Sequence, residues 1–271
     1  MTSSSSYTPR RVGIMQPYFL PYLGYFSLIK HTDLWVVFDT AQFIRHGWIE
    51  RNRILKPGDG WQYIKVPLVK HARETPIKDV LIRDDEPWRT RILAQIDHYK
   101  ASAPYSRDVR EFLKDGLAFS ANTISALNVH LLTRACEYLG VPFRYLLYSQ
   151  SSLCVGAVTA PDEWALEITK ALGAQEYINP PGGMSLFDNA KYERAGIKLS
   201  YLRPRLTPYK QRGEKFESGL SIIDAMMFNE PSTIRDMLDD VEFIPGGAAN
   251  SFDVGGEEPY SGRGLPTQSE S

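Results

Sequence analysis

The feature that most constrains the fold is a strand, helix and strand packed into the first forty residues. Arg11 to Gln16 reads as a short apolar strand, and Pro17, which has no N–H, ends its ladder. From Pro21 to His31 the apolar positions Leu23, Phe26, Leu28 and Ile29 approximate helical spacing, with Pro21 suited to a first-turn position. Asp33 marks a turn before a second apolar strand, Leu34 to Phe38. Three such elements within about 28 residues make a βαβ unit, a connection that is right-handed in about 98% of cases. The pattern predicts an α/β fold: a Rossmann-like parallel sheet with flanking helices.

In such sheets ligands lie outside the carboxyl ends of the strands. Gln16 and Asp39 stand at two of those ends, and both are expected to face one crevice. The turn between strand and helix is unusual for a segment meant only for core, because it mixes Gln16 with Tyr18, Phe19, Tyr22, Tyr25 and two prolines. Aromatic faces beside a few fixed amides suit a sugar or nucleotide. Downstream, Gly47-Trp48 precedes Arg51-Asn52-Arg53, and in a strand Arg51 and Arg53 share a face from which guanidinium forks can hold phosphate or carboxylate.

The candidate catalytic residues are therefore Asp39, Tyr22 and His46. Asp39 is placed for a raised pKa and a role as base or hydroxyl-orienting group, and His46 is the histidine nearest the cluster, a side-chain type suited to proton exchange near neutral pH. The candidate binding residues are Gln16, Tyr18, Tyr25, Trp48, Arg51, Asn52 and Arg53, joined by Asn179, Gly182 and Gly183 from a turn-rich loop whose N–H groups could meet an oxyanion. Plainer alternatives stand beside these: a packed strand end, an exposed basic edge, a turn cap for Asp39 and a solvent-facing loop for His46.

The rest of the chain extends the α/β reading. A β-rich insertion is expected around 44–82: a short strand or hairpin about Gly47-Trp48 running on to Leu55, a strand from Trp61 to Leu68, and a short one within Thr75 to Ile82. Helical patterns follow from Glu86 to Phe119, broken at Ala103-Pro104-Tyr105, and from Thr123 to Leu139. Strands are expected at Phe143 to Tyr148, Ala174 to Ile178 and Lys198 to Leu202, with a helix capped by Asp162 and a short helix near Ser185 to Ala195. The C-terminal part is read as helical, from Leu220 to Phe228 and from Pro231 to Leu238, with Asp224 in a helix-face ion pair. These give one catalytic domain over 11–245, a flexible tail at 1–10 and a disordered one at 246–271.

Composition limits the function classes. Thirty-one Lys+Arg against thirty-two Asp+Glu leave a formal charge of −1, so no global field draws in nucleic acid or an anionic membrane. No uncharged run is long enough to span a bilayer, and Met1 to Arg11 lacks a signal-peptide h-region, which predicts no membrane insertion and a cytoplasmic location. Cys136 and Cys154 suggest neither a disulfide scaffold nor a zinc site, and the five histidines show no metal-ligand spacing. No metal is expected and no cofactor is assigned.

The run Met15 to Phe26, with Asp33, the Trp35 to Asp39 strand, Gln42-Phe43, Gly47-Trp48 and Arg51-Asn52-Arg53-Ile54, resembles the WbqC-like family. Tyr177-Ile178-Asn179, Gly182-Gly183, Leu186-Phe187 and Leu220 to Asp224 extend the likeness over roughly 11 to 240. The resemblance implies a cytoplasmic transferase of O-antigen, other surface-polysaccharide or related amino-sugar biosynthesis, putting an acyl or aminoacyl group on an amino sugar. Its implied partners are a nucleotide sugar or an activated acyl or aminoacyl donor, with a charged tRNA as the one nucleic-acid donor left open.

A second, degenerate likeness is to nucleotidylyltransferases, which carry His-x-Gly-His where this chain has Tyr22-Leu23-Gly24-Tyr25. A phenol can donate a hydrogen bond there but carries no positive charge. The alternatives are accordingly an ATP- or CTP-dependent ligase or nucleotidylyltransferase-like enzyme, and a non-catalytic subunit of a sugar-modifying complex.

Overall fold

Parallel strands covered on both faces must be apolar nearly throughout, and the first strand meets that demand. In the computed structural model, which describes residues 8–213 and 215–248, β1 (Arg11–Met15) is buried from Val12 onward. It pairs in parallel with β2 (Leu34–Val37) on one side and with β6 (Glu176–Asn179) on the other. Outside β2 lies β5 (Tyr145–Leu147), and outside β6 lie β7 (Lys198–Pro204) and β8 (Val241–Pro245). The sheet order is β5-β2-β1-β6-β7-β8, with β8 alone antiparallel. Numbered by first appearance in the sheet, that is 3-2-1-4-5-6, the order of doubly wound nucleotide-binding folds. The expected Rossmann-like sheet with flanking helices is present.

Gly13 sits at the centre of this arrangement because its neighbour strand carries Trp35. A Cβ at Gly13 would stand 2.8 Å from the Trp35 ring and 3.3 Å from Thr32 Cγ2. The helix that follows, α1 (Leu23–Lys30), is buried from Leu23 through Ile29. It packs against β7 and α8 (Pro231–Asp239). Asp33 closes the βαβ unit by accepting from the N–H groups of Arg10 and Arg11 at 3.0 and 2.8 Å.

Between β2 and β5 the chain makes its insertion. The hairpin β3 (Arg51–Leu55) and β4 (Trp61–Lys65) stands apart from the main sheet. After it come α2 (Trp88–Ile96), α3 (Ser106–Leu117) and α4 (Ile124–Leu139), the last begun by Thr123, whose Oγ1 accepts from Ala126 N–H, and ended at left-handed Gly140. Later come α5 (Glu163–Ala171), α6 (Asn189–Arg194) and α7 (Ile222–Phe228).

Four expectations change. Residues 44–49 are loop, with His46 at φ +62°, and the hairpin starts only at Arg51. Thr75 to Ile82 holds isolated bridges around a 3-10 turn, Ile77–Asp79, because Pro76 cannot donate and Ile77 and Val80 both turn inward. Asp162 makes no capping bond: its carboxylate pairs with Lys191 at 2.9 Å, and the Glu163 carboxylate accepts from the N–H groups of Thr159 and Ala160. The C-terminal part is not wholly helical, since Val241–Pro245 adds the antiparallel edge strand. Most of both expected tails, 1–7 and 249–271, lies outside the described residues.

Replacing Gly13 by Ala should lower stability by about 1–3 kcal/mol, the usual range for overpacking a filled core. A Gly13→Ala, Trp35→Phe double variant should recover part of that loss in urea denaturation, and strictly additive losses would contradict direct packing of residue 13 against the Trp35 ring.

Candidate active site

The turn from Gln16 to Pro21 leaves the sheet edge with its carbonyls pointing into protein, where each needs a donor or costs about 1–3 kcal/mol. The chain supplies them from four distant places. Tyr25 Oη donates to Gln16 O at 2.8 Å. Asn128 Nδ2, from α4, donates to Pro17 O and Ile49 O, both at 2.8 Å. Asn52 Nδ2, from β3, donates to Phe19 O and Leu20 O, both at 3.0 Å. Ser221 Oγ, at the start of α7, donates to Leu20 O at 2.7 Å, and Ile222 N–H to Pro21 O at 2.8 Å. Phe19 N–H in turn donates to Trp48 O at 2.9 Å. This clamp holds Leu20 at φ +43°, a left-handed conformation that a leucine adopts only when its surroundings dictate it.

Beyond the clamp lies a cavity of about 190 Å³ lined by Gln16, Tyr18, Arg45, His46, Trp48 and neighbouring backbone. Burial pushes the Tyr18 phenol up to about 12, so at neutral pH it is a hydrogen-bond donor and not a base. Arg51 shapes the wall: its Nε donates to Gly47 O at 3.3 Å, a terminal nitrogen donates to His46 O, and its guanidinium stacks 4.1 Å over Tyr63. Arg53 lies over two indoles, 5.4 Å from Trp48 and 5.1 Å from Trp61, with one nitrogen on Gly219 O and its Nε buried without a partner. The strand register places Arg51, Arg53, Tyr63 and Lys65 on one hairpin face, while Asn52 points inward and is wholly buried.

Asp39 opens on a different cavity. The chain leaving it is pinned to 75–77, where Phe43 N–H donates to Thr75 O and Ile77 N–H to Ala41 O. Residues 44–49 therefore line the cavity at the end of β1, while Asp39 lines one of about 520 Å³ with Lys78, Ser125, His130, Leu147 and Ser149. The two strand ends do not share one crevice. Asp39 is 2% exposed, and Ser149 holds it with an Oγ–H to Oδ2 at 2.6 Å and an N–H to Oδ1 at 3.0 Å.

Of the other expected residues, Tyr22 and Tyr25 line neither cavity. The Tyr22 ring lies so close to Gly24 that a Cβ there would be 2.5 Å from it, and Tyr25 packs between Tyr18 and Trp35 with centroids at 5.5 and 5.0 Å. Asn179 accepts from Tyr177 Oη at 2.8 Å, donates to Pro180 O at 3.0 Å and covers Gly183, whose N–H is spent on Pro180 O. Asn179, Gly182 and Gly183 line neither cavity either. Among the described residues no cluster of three His, Cys, Asp or Glu stands in metal-binding arrangement, and no described helix is long and apolar enough to cross a membrane.

Sequence reasoning missed Asn128, Ser221, Ser149 and Glu50. Asn128 had a visible signal, an amide within the apolar run of α4, and Ser221 stands before a helix in a capping position. Asp224 is not in an ion pair: fully buried, it accepts from Tyr99 Oη at 2.6 Å, Tyr209 Oη at 2.7 Å and Gln211 Nε2 at 2.7 Å. Burial raises its pKa and the three donors oppose that rise. Tyr99 Oη also takes the Leu55 N–H at 2.9 Å, so the network ties the hairpin to α7.

A six-stranded sheet in 3-2-1-4-5-6 order, parallel but for its last strand and flanked by helices, defines a Rossmann-like α/β fold. The model of the WbqC-like protein family matches residues 16–236, and the chain belongs to that family. It is 28% identical over 232 residues to "Uncharacterized protein Rv1507c" of Mycobacterium tuberculosis (strain ATCC 25618 / H37Rv), a match spanning 84% of this chain and 97% of the relative. No solved structure matches.

The clamp and its neighbour Glu50 can each be tested by stability. Asn52→Ala and Ser221→Ala should each cost about 1–3 kcal/mol, and together more than the sum, because either alone leaves Leu20 O with its other donor and only the double variant leaves that carbonyl open; urea denaturation of the cycle measures this. Glu50 is buried with Oε2 unpartnered, and burial raises its pKa against the pull of Lys65, Arg51 and His46. An acid whose pKa is raised on folding costs stability as pH climbs from its unfolded value, about 4.3, through the native one. The stability of Glu50→Gln relative to wild type should therefore improve between pH 4 and pH 8, and a decline would show that the charge is favourably held.

Proposed function

We propose that this chain is a group-transfer enzyme of surface-polysaccharide, O-antigen or related amino-sugar biosynthesis, with one catalytic α/β domain over 11–245, moving an acyl or aminoacyl group onto an amino sugar in the cytoplasm. The observation that carries the reading is the cavity where Gln16, Tyr18, His46 and Trp48 meet at the end of β1. An indole face suits the C–H face of a pyranose, and an amide and a neutral phenol suit its hydroxyls. Family membership supports the same pathway.

In this reading the sugar amine attacks the donor's acyl carbon, the bond to the donor's leaving group breaks, and His46 takes the proton the amine loses. Trp48 positions the sugar, backed by Arg53. Asp39 orients a hydroxyl of one of the two substrates from the neighbouring cavity. Nucleotidylyl transfer has less support, since Tyr22 and Tyr25 are packed into the core where that chemistry needs phosphate contacts. A non-catalytic scaffold has less as well, because it needs no polar cavity at a strand end.

Incubating the protein with free and nucleotide-linked amino sugars and with acyl-CoA or aminoacyl donors, charged tRNA among them, should yield an amide detectable by mass spectrometry. Trp48→Ala should raise KM for the sugar about tenfold with little change in kcat, and His46→Gln should lower kcat by about 10²–10⁴. Absence of product from every amino sugar would refute the reading.

A further inference from the structure

The cavity beside Asp39 has a build that the transfer reading does not by itself require. It opens at Asp39, beyond the carboxyl end of β2, the second strand of the 3-2-1-4-5-6 order, and runs between the edge strand β5 and α4. In doubly wound sheets an acidic residue at the end of the second strand meets the ribose hydroxyls of a bound nucleotide, and Asp39 is the acidic residue at that end. Ser149 takes one lone pair from each carboxylate oxygen and fixes its plane. A second lone pair on each oxygen is left over, which matches the two donors of a cis-diol.

The rest of the lining fits a base. Phe119 and Tyr145, each 40% exposed and among the few large apolar side chains so exposed among the described residues, both line this cavity. Phe119 stacks on His130 at 4.1 Å and 11° between planes, which makes a flat aromatic wall. Tyr145 is braced by Phe143, 4.9 Å away. Ser125 and Gln150 add hydrogen-bonding groups, and the volume of about 520 Å³ falls within the roughly 300–1,000 Å³ usual for small-molecule sites. Lys78 is paired with Asp79 at 2.9 Å, so no strong excess of either charge marks the lining.

The turn after β1 rules out the longer ligand of such folds. A dinucleotide needs a glycine-rich turn there so that its pyrophosphate can approach the backbone and the helix N-terminus. Here that turn is Gln16-Pro17-Tyr18-Phe19-Leu20-Pro21, packed with side chains and clamped from four elements. We propose that the cavity running from Asp39 between β5 and α4 is a nucleoside site, with the ribose cis-diol on Asp39 and the base against Phe119 and Tyr145. The site deepens the transfer reading, on which it rests for its biological use, by making one substrate nucleotide-linked.

The test is calorimetric titration of the full chain with the four ribonucleoside 5′-diphosphates and their 2′- and 3′-deoxy forms. At least one ribonucleotide should bind, with the deoxy forms and the Asp39→Asn variant each weaker by about tenfold or more. Ala126 lines the cavity on the exposed face of α4. Ala126→Trp should therefore fill the space and abolish binding while thermal unfolding stays near wild type, and Trp48→Ala should bind the nucleotide as wild type does. No binding of any ribonucleotide at millimolar concentration, equal affinity for deoxy forms, or binding that survives Ala126→Trp would each overturn the site. Amide formation from a sugar free of nucleotide, with no nucleotide bound, would overturn it and leave the transfer reading standing. Nucleotide binding without transfer to any amino sugar would do the reverse.

Discussion

The architecture depends on satisfying the backbone of one six-residue turn. A parallel strand that runs into Pro17 and then turns through a left-handed leucine cannot close its own hydrogen bonds, and burial makes each open carbonyl costly. Asn52, Asn128 and Ser221 meet that need from β3, α4 and the start of α7. Each donor thereby fixes where its own element sits. The insertion hairpin, the long helix before β5 and the C-terminal helices are all registered against the end of β1 by polar groups buried inside the protein. The cavity of Gln16, Tyr18, His46 and Trp48 is tied to this clamp through Phe19 N–H on Trp48 O and Asn128 on Ile49 O.

A second polar knot performs the same service one layer away. Asp224 gathers Tyr99, Tyr209 and Gln211, and Tyr99 passes the restraint to Leu55 at the end of β3. The hairpin is thus held at both ends of β3, by Asn52 near the turn and by Leu55 near α7. Held this way, it can present Arg51, Arg53, Tyr63 and Trp61 on one face without support from the main sheet. Buried networks of this kind favour one arrangement over many only when every member is satisfied.

The sheet was legible because its signals are local. Apolar β1 and β2 flank a helix of the right length, and the family likeness carried Gln16 through Arg53 as a block. What escaped depends on partners far apart in sequence. Asn128 joins Pro17 to Ile49, Ser149 meets Asp39 across two strand ends, and Asp224 draws in two tyrosines, so no window of the chain displays any of them whole. Edge strand β8 was hidden for another reason: it is short, half exposed and ends in proline. The idea of a single crevice failed because the segment after Asp39 binds 75–77 and parts the two cavities.

The clamped strand end is, on this view, a binding site and not only a packing solution. The most direct test is NMR of the indole N–H groups during titration with a nucleotide-linked amino sugar, the five tryptophans being assigned by single Phe substitutions. A binding site there predicts saturable movement of the Trp48 signal, with the Trp88 signal, wholly buried in α2, unmoved. Titration that shifts no indole, or shifts Trp88 and leaves Trp48 in place, would contradict it.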